Sequence, residues 1–278
     1  MKLTVLVENK QPLDPRVKRA HGLSLFIRTE DHTILFDFGP RGDLLLENAA
    51  ALGIDLSAVD VAVLSHGHND HSGGLEAFLE MNRSARVYTH RSVFLPHFAQ
   101  AGEKFNDISA DPALPERYGE RIVLIEGTYR IDDTLTLVSD VEEAVPKFST
   151  NRTLFEGADA VRVPDDFAHE QSLLIRENGK TALLGGCAHK GITNIIRRAE
   201  AVEGRAPDAV FAGFHTTNPG LGVDETPAAV ANAGAELKRW PCRYDTGHCT
   251  GDAPYEQLKR VLENRLVNMN CGLSFSVE

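Results

Sequence analysis

His66-Gly67-His68-Asn69-Asp70-His71, directly after the apolar stretch Val61-Ala62-Val63-Leu64, places three imidazoles and a carboxylate within six positions of the chain. Four donors gathered where a strand-like run ends make this a metal-site sequence. Imidazole suits zinc, iron or manganese, and a carboxylate beside it belongs to a second, more oxygen-rich position, so the spacing points to two ions. His66 and His68 alternate along the chain and can converge on one ion, while Asp70 and His71 lie past the turn and reach its neighbour. The plain alternative is a solvated, histidine-rich loop, and its position at the end of an apolar run argues against it.

Outward from this run, 278 residues of which 42% are hydrophobic suffice for one continuous core. There is no Ser/Gly-rich or Pro-rich linker and no charge block, so a single domain over 1–278 is expected. The net charge of -11 argues against a nucleic-acid partner, because binding phosphates takes an excess of Lys and Arg. The chain starts on the strand-like Lys2-Leu3-Thr4-Val5-Leu6-Val7 and has no apolar run long enough to span a bilayer. No membrane partner and a cytoplasmic location are the expectations. Cys187, Cys242, Cys249 and Cys271 form no C-x-x-C pair and read as reduced thiols.

Short apolar or alternating stretches at 3–7, 23–27 and 33–36 predict consecutive strands, and helical spacing predicts helices at 44–52 and 74–81. A strand at 87–89 leads into residues 91–121, which have no clean period and are expected to be an irregular insertion, either a lid or wall of a binding site or a peripheral excursion. In the second half, strands are expected at 122–125, 134–138, 172–175, 181–184 and 209–211, with Asn178-Gly179 as a hairpin signal. Helices are expected at 192–202, 226–237 and 255–262, and a last strand at 273–277. On these grounds alone the class is α/β.

The H-x-H-x-D-H run, followed by Ser72-Gly73-Gly74-Leu75 and preceded by Ile34-Leu35-Phe36-Asp37-Phe38-Gly39, resembles the metallo-β-lactamase fold superfamily nearly end to end. The stretches His21-Gly22-Leu23-Ser24, Glu170-Gln171-Ser172-Leu173, Gly186-Cys187-Ala188-His189-Lys190-Gly191, Gly213-Phe214-His215 and His248-Cys249-Thr250-Gly251 are similar to one branch. That branch is named 7,8-dihydropterin-6-methyl-4-(β-D-ribofuranosyl)aminobenzene 5'-phosphate synthase, after archaeal members of methanopterin biosynthesis. The resemblance implies a four-layer αββα sandwich.

It also implies further ligands. His248, flanked by small residues in Thr246-Gly247-His248-Cys249-Thr250-Gly251, matches the last ligand histidine of the superfamily. His189 follows an expected strand through Gly185-Gly186-Cys187. The ligand set is then His66, His68, Asp70, His71, His189 and His248. Many members carry a histidine before the hairpin and a bridging aspartate after it. Here His169 and Cys187 hold roughly those places, and a thiolate suits bridging hard ions less well than a carboxylate, so His189 is favoured and both others stay candidates. Asp37 matches the carboxylate that orients ligating imidazoles. His215 belongs to the branch signature and is expected to meet an anionic substrate. His21 and Asn9 lie after or at the ends of neighbouring strands and are minor candidates to face the same cleft, with a structural role the alternative.

The expected function is a metal-dependent hydrolase with two divalent ions, zinc first and manganese or iron as alternatives. Its water would be activated at the ions with Asp70 as ligand and proton acceptor, and Asp70 and His215 are the catalytic candidates. A small phosphorylated or ester substrate is expected, anionic in character. A pterin transferase releasing pyrophosphate is the alternative enzyme. A non-catalytic or redox di-metal protein is the alternative of another class, but the redox relatives read H-x-E-x-D-H where this chain has His68.

Overall fold

The computed structural model describes residues 1–12, 14–157, 161–218 and 220–278. Two seven-stranded sheets dominate it. The first runs Ser274–Ser276, Lys2–Val7, Ser24–Arg28, Thr33–Phe36, Val61–Leu64, Arg86–His90, Ile122–Ile125. The second runs Leu266–Asn268, Arg243–Gly247, Ala209–Gly213, Lys180–Leu184, Ser172–Glu177, Leu135–Val138, Tyr129–Arg130.

Period-two alternation sorts their side chains into three cores. Ile34, Phe36, Val61 and Val63 meet Leu173, Ile175, Leu184 and Phe211 between the sheets. Their sequence neighbours Leu35, Ala62 and Leu64 face outward onto Leu44, Leu45, Leu75 and Phe78 of the helices Gly42–Ala51 and Leu75–Met81. On the other sheet Leu174, Leu183, Val210 and Ala212 pack against Ile195, Ile196, Val230 and Leu258 from the helices Ile192–Glu203, Pro227–Leu237 and Asp252–Leu262. The result is the expected αββα sandwich.

Four adjacent strands in each sheet are parallel, Thr33–Phe36 through Ile122–Ile125 in the first and Lys180–Leu184 through Leu266–Asn268 in the second. Their carboxyl ends therefore reach the same edge of their sheet, where the loops that follow can face one another. The Asn178-Gly179 hairpin forms as expected, with Glu177 opposite Lys180 and φ of 52° and 74° at its two central residues, the geometry of a type I′ turn.

One expectation needs correction, and two strands were not expected. Residues 91–121 are largely regular: the strands His97–Ala101 and Lys104–Asp107 form an antiparallel hairpin, followed by the short helix Leu114–Tyr118. The hairpin is half of a four-stranded sheet completed by Leu154–Glu156 and Val163–Pro164. Its pairing partners lie some fifty residues away and Lys104–Asp107 is exposed throughout, so no alternation marks it. The strand Arg243–Gly247 has polar residues at buried positions, which hides it from a hydrophobic pattern. Leu266–Asn268, only three residues long, is too short to register. Among the described residues no helix is long and apolar enough to cross a membrane.

Candidate metal centre

The strand Val61–Leu64 is buried along its whole length, and the chain leaving it is held by Asp37. That residue sits at φ 59°, a strained position for a non-glycine residue. Its Oδ1 accepts from the backbone N of Ser65 at 2.7 Å, and its Oδ2 accepts from Ser65 Oγ at 2.8 Å and from His71 Nδ1 at 2.6 Å. Ser65 Oγ in turn lies 2.8 Å from His66 Nδ1. One buried carboxylate thus orients two imidazoles of the loop, one directly and one through Ser65.

The same device recurs at the other rings. His189 Nδ1 is 2.8 Å from Asn151 Oδ1, and His248 Nδ1 is 2.9 Å from Asn9 Oδ1. In His66, His71, His189 and His248 the Nδ1 therefore carries the proton toward an acceptor, which leaves the Nε2 lone pair free for a ligand.

These free nitrogens converge in two groups. His71 Nε2 lies 3.2 Å from His248 Nε2 and 3.2 Å from Cys187 Sγ, and Asp70 Oδ2 lies 3.3 Å from His248 Nε2 and 3.6 Å from His71 Nε2. A tetrahedral shell with bonds near 2.0 to 2.1 Å has edges of about 3.3 to 3.4 Å, so the donor set fits a zinc-sized ion. The second group is His66, Cys187 and His189, and the Nε2 atoms of His66 and His189 are buried without a hydrogen-bond partner. The His68 ring is 4.6 Å from that of His66 and 4.8 Å from that of His189. Cys187 stands in both groups, at the point where a bridging ligand would lie.

Electrostatics agree with a cation at this place. Burial first, and the mutual repulsion of neighbouring imidazoles second, hold His66, His68 and His189 well below the ordinary histidine range, so they are neutral and ready to donate. Burial opposes the charge on Asp70, yet His71, His248 and His21 together keep its carboxyl well below its usual range. At His71 burial is outweighed by Asp70 and Asp37, which raise it to about 9; an ion there takes the place of that proton.

Of the remaining candidates, His215 lines the cleft with both ring nitrogens buried and unpaired, 4.3 Å from the His189 ring. His21 stacks on His248 at 4.9 Å and sits 3.2 Å from Asp70 Oδ2. His169 is turned away from both donor groups: its Nδ1 accepts from the backbone N of Gly67 at 2.9 Å and its Nε2 faces Asp165.

Two further carboxylates hold the backbone of these loops. Glu8 accepts the backbone N–H of His248, and Glu170 accepts those of His189 and Lys190 at 2.7 and 2.8 Å. Burial, partly offset by those two bonds, raises the Glu170 carboxyl to about 7. Backbone strain also collects here, with positive φ at Asp37, Ala188, His215 and His248. Above the donors opens a cleft of about 680 Å³, with Ala99, Gln100, Asn106 and Ile108 of the hairpin region on one side and Asn218 on another. The Arg162 guanidinium lies over the Phe98 and Phe105 rings at 4.3 and 4.9 Å.

The model of the metallo-beta-lactamase superfamily matches residues 18–146. The chain is 27% identical over 267 residues to the 7,8-dihydropterin-6-methyl-4-(beta-D-ribofuranosyl)-aminobenzene-5'-phosphate synthase of Methanocaldococcus jannaschii, covering 90% of this chain and 88% of that one. An uncharacterized protein of the same organism is 29% identical over 205 residues, 70% of this chain and 72% of its own. Among solved structures, a metal-dependent hydrolase of the beta-lactamase superfamily shares the fold with a TM-score of 0.82 at 24% identity, over 100% of this chain and 99% of that one.

Proposed function

Because this chain carries a metallo-beta-lactamase superfamily domain and that fold throughout, we propose that it is a metal-dependent hydrolase with two divalent ions, zinc first, acting on a small anionic phosphate or ester. The observation that carries this reading is the pair of donor groups joined at Cys187 beneath an open cleft. When bound, such ions would polarise a carbonyl or phosphoryl oxygen and bring the pKa of water toward neutrality.

The residues of the chain then have distinct tasks. His66, His68, His189 and Cys187 would hold one ion, and Asp70, His71, His248 and Cys187 the other. Asp70 also accepts the proton released from water, and His21, 3.2 Å from its Oδ2, shares the charge. His215 offers an N–H to the oxygen where negative charge develops. Asn9 and Asn151 keep their imidazoles from rotating, which preserves the geometry between turnovers. A small soluble substrate in the cytoplasm, with neither nucleic acid nor membrane as partner, completes the proposal.

A second reading has a specific support. The synthase relative matches over 88% of its own length, and a transfer that expels pyrophosphate needs the same anion-binding pair. Assaying the zinc- and manganese-loaded protein against phosphodiesters, pyrophosphates, thioesters and lactams tests both. Release of phosphate or alcohol from a phosphorylated compound, without an acceptor, is the expected result. Turnover only when an aromatic amine acceptor accompanies a pyrophosphate ester would favour transfer, and preference for lactams or thioesters over every phosphorylated compound would overturn the substrate class.

A further inference from the structure

Behind His68, on the side away from His66, lies a buried group that the proposed reaction does not use. His68, His97, Asp165 and His169 bring donor atoms within 4.8 Å of one another. Asp165 Oδ1 is anchored by the backbone N of Phe167 at 2.6 Å, and its Oδ2 accepts from His97 Nδ1 at 3.1 Å and His169 Nε2 at 3.3 Å. His169 spends its remaining nitrogen on Gly67, the residue between the two ligand histidines. Its two nitrogens are therefore both engaged, and its ring lies against that of His97, 4.0 Å between centroids and tilted by 36°. This speaks against a separate ion site.

Two atoms are left over. His68 Nε2 and His97 Nε2 are both buried and lack hydrogen-bond partners, although leaving such a group unsatisfied is costly. Their needs are complementary. Because His97 Nδ1 gives its proton to Asp165, His97 Nε2 is an acceptor. A His68 that lines the cleft and holds an ion through Nδ1 must carry its proton on Nε2, and so needs an acceptor behind it. The His97 ring is packed on the loop so closely that a Cβ on Gly67 would stand 2.7 Å from its Nε2, which leaves little freedom to move elsewhere.

We propose that His97 and Asp165 are positioning residues for the metal centre: they accept the Nε2 proton of His68, directly or through one water, and fix that ring as a ligand. The role rests on the reading that His68 holds an ion. The test is zinc affinity of the full chain, measured by competition with a chromophoric chelator for wild type, His97→Phe and Asp165→Asn, with circular dichroism and melting of each. Partners of this kind are worth about 10- to 100-fold in metal affinity. The expected outcome is a loss of that size for one ion and none for the other in folded variants, with partial recovery in His97→Gln, which restores an acceptor. Wild-type affinities in both His97→Phe and Asp165→Asn would overturn the positioning role. A third bound ion in wild type, lost in the variants, would overturn it in favour of a separate site. A wild-type chain that binds no zinc would instead overturn the reading of His68 itself.

Discussion

Asp70 is the residue on which the proposed chemistry turns, because it stands within 3.3 to 3.6 Å of two imidazole nitrogens of one donor group and beside the cleft. Asp70→Asn removes the negative charge that His71 and His248 face and leaves an amide that binds zinc poorly. We expect one of two ions to be lost on gel filtration, by elemental analysis, and turnover to fall by about 10²-fold or more, equivalent to about 3 kcal/mol or more. Full ion content with near-normal turnover would remove Asp70 from the mechanism. At this scale the sequence was readable where donors crowd together: His66, His68, Asp70 and His71 announce themselves within six positions. His189 and His248 were legible through small flanking residues and a family resemblance. The groups that aim the rings were not, because an asparagine such as Asn151 acquires its role only through a partner 38 positions away. His97 and Asp165 meet across 68 positions, and neither stands in a motif.

Among the elements, the strand Arg243–Gly247 shows why a hydrophobic pattern undercounts β structure. Its Asp245 is fully buried, pairs with Arg243 at 2.7 Å through one oxygen, and leaves the other unpartnered. Burial, only partly offset by Arg243, raises its carboxyl to about 6. An acid whose folded-state pKa exceeds its unfolded value binds more protons when folded, so stability falls as pH rises between the two values. The loss therefore runs from about pH 4 to about pH 6 and is complete above that. Asp245→Asn should abolish this slope and stabilise the protein above pH 6 by about 1 to 3 kcal/mol, read as a rise in urea midpoint at pH 8 and little change at pH 4. Equal effects at both pH values would contradict the assignment. The hairpin His97–Asp107 teaches a related lesson: regular structure whose further partner is Leu154–Glu156 is invisible to any local window. The parallel strands Thr33–Phe36, Val61–Leu64, Lys180–Leu184 and Ala209–Gly213, by contrast, were legible because their runs are largely apolar.

For the whole molecule, the two sheets contribute to the centre in comparable measure, His66 to His71 from loops of the first and Cys187, His189 and His248 from the second. An ion held by both sheets links them, so chelation should lower stability as well as activity. At an ion concentration about 1,000-fold above its dissociation constant the gain is about 4 kcal/mol, which for a chain of this size corresponds to a melting shift of about 10 °C. Melting that is identical with and without chelator would mean that the donors do not bridge the sheets through an ion. The αββα layering was readable from alternation together with the family resemblance. The facing of loops across the sheets was not, since it depends on the register of strands far apart in the chain. The edge of the first sheet carries a further consequence. There the first strand, Lys2–Val7, pairs with the last, Ser274–Ser276, and Glu8, just beyond that first strand, holds the backbone of His248 across 240 positions. During translation the amino-terminal half of this clamp leaves the ribosome long before its counterpart exists, so a nascent chain cannot assemble the donor group around His248 until the residues of both halves have been made.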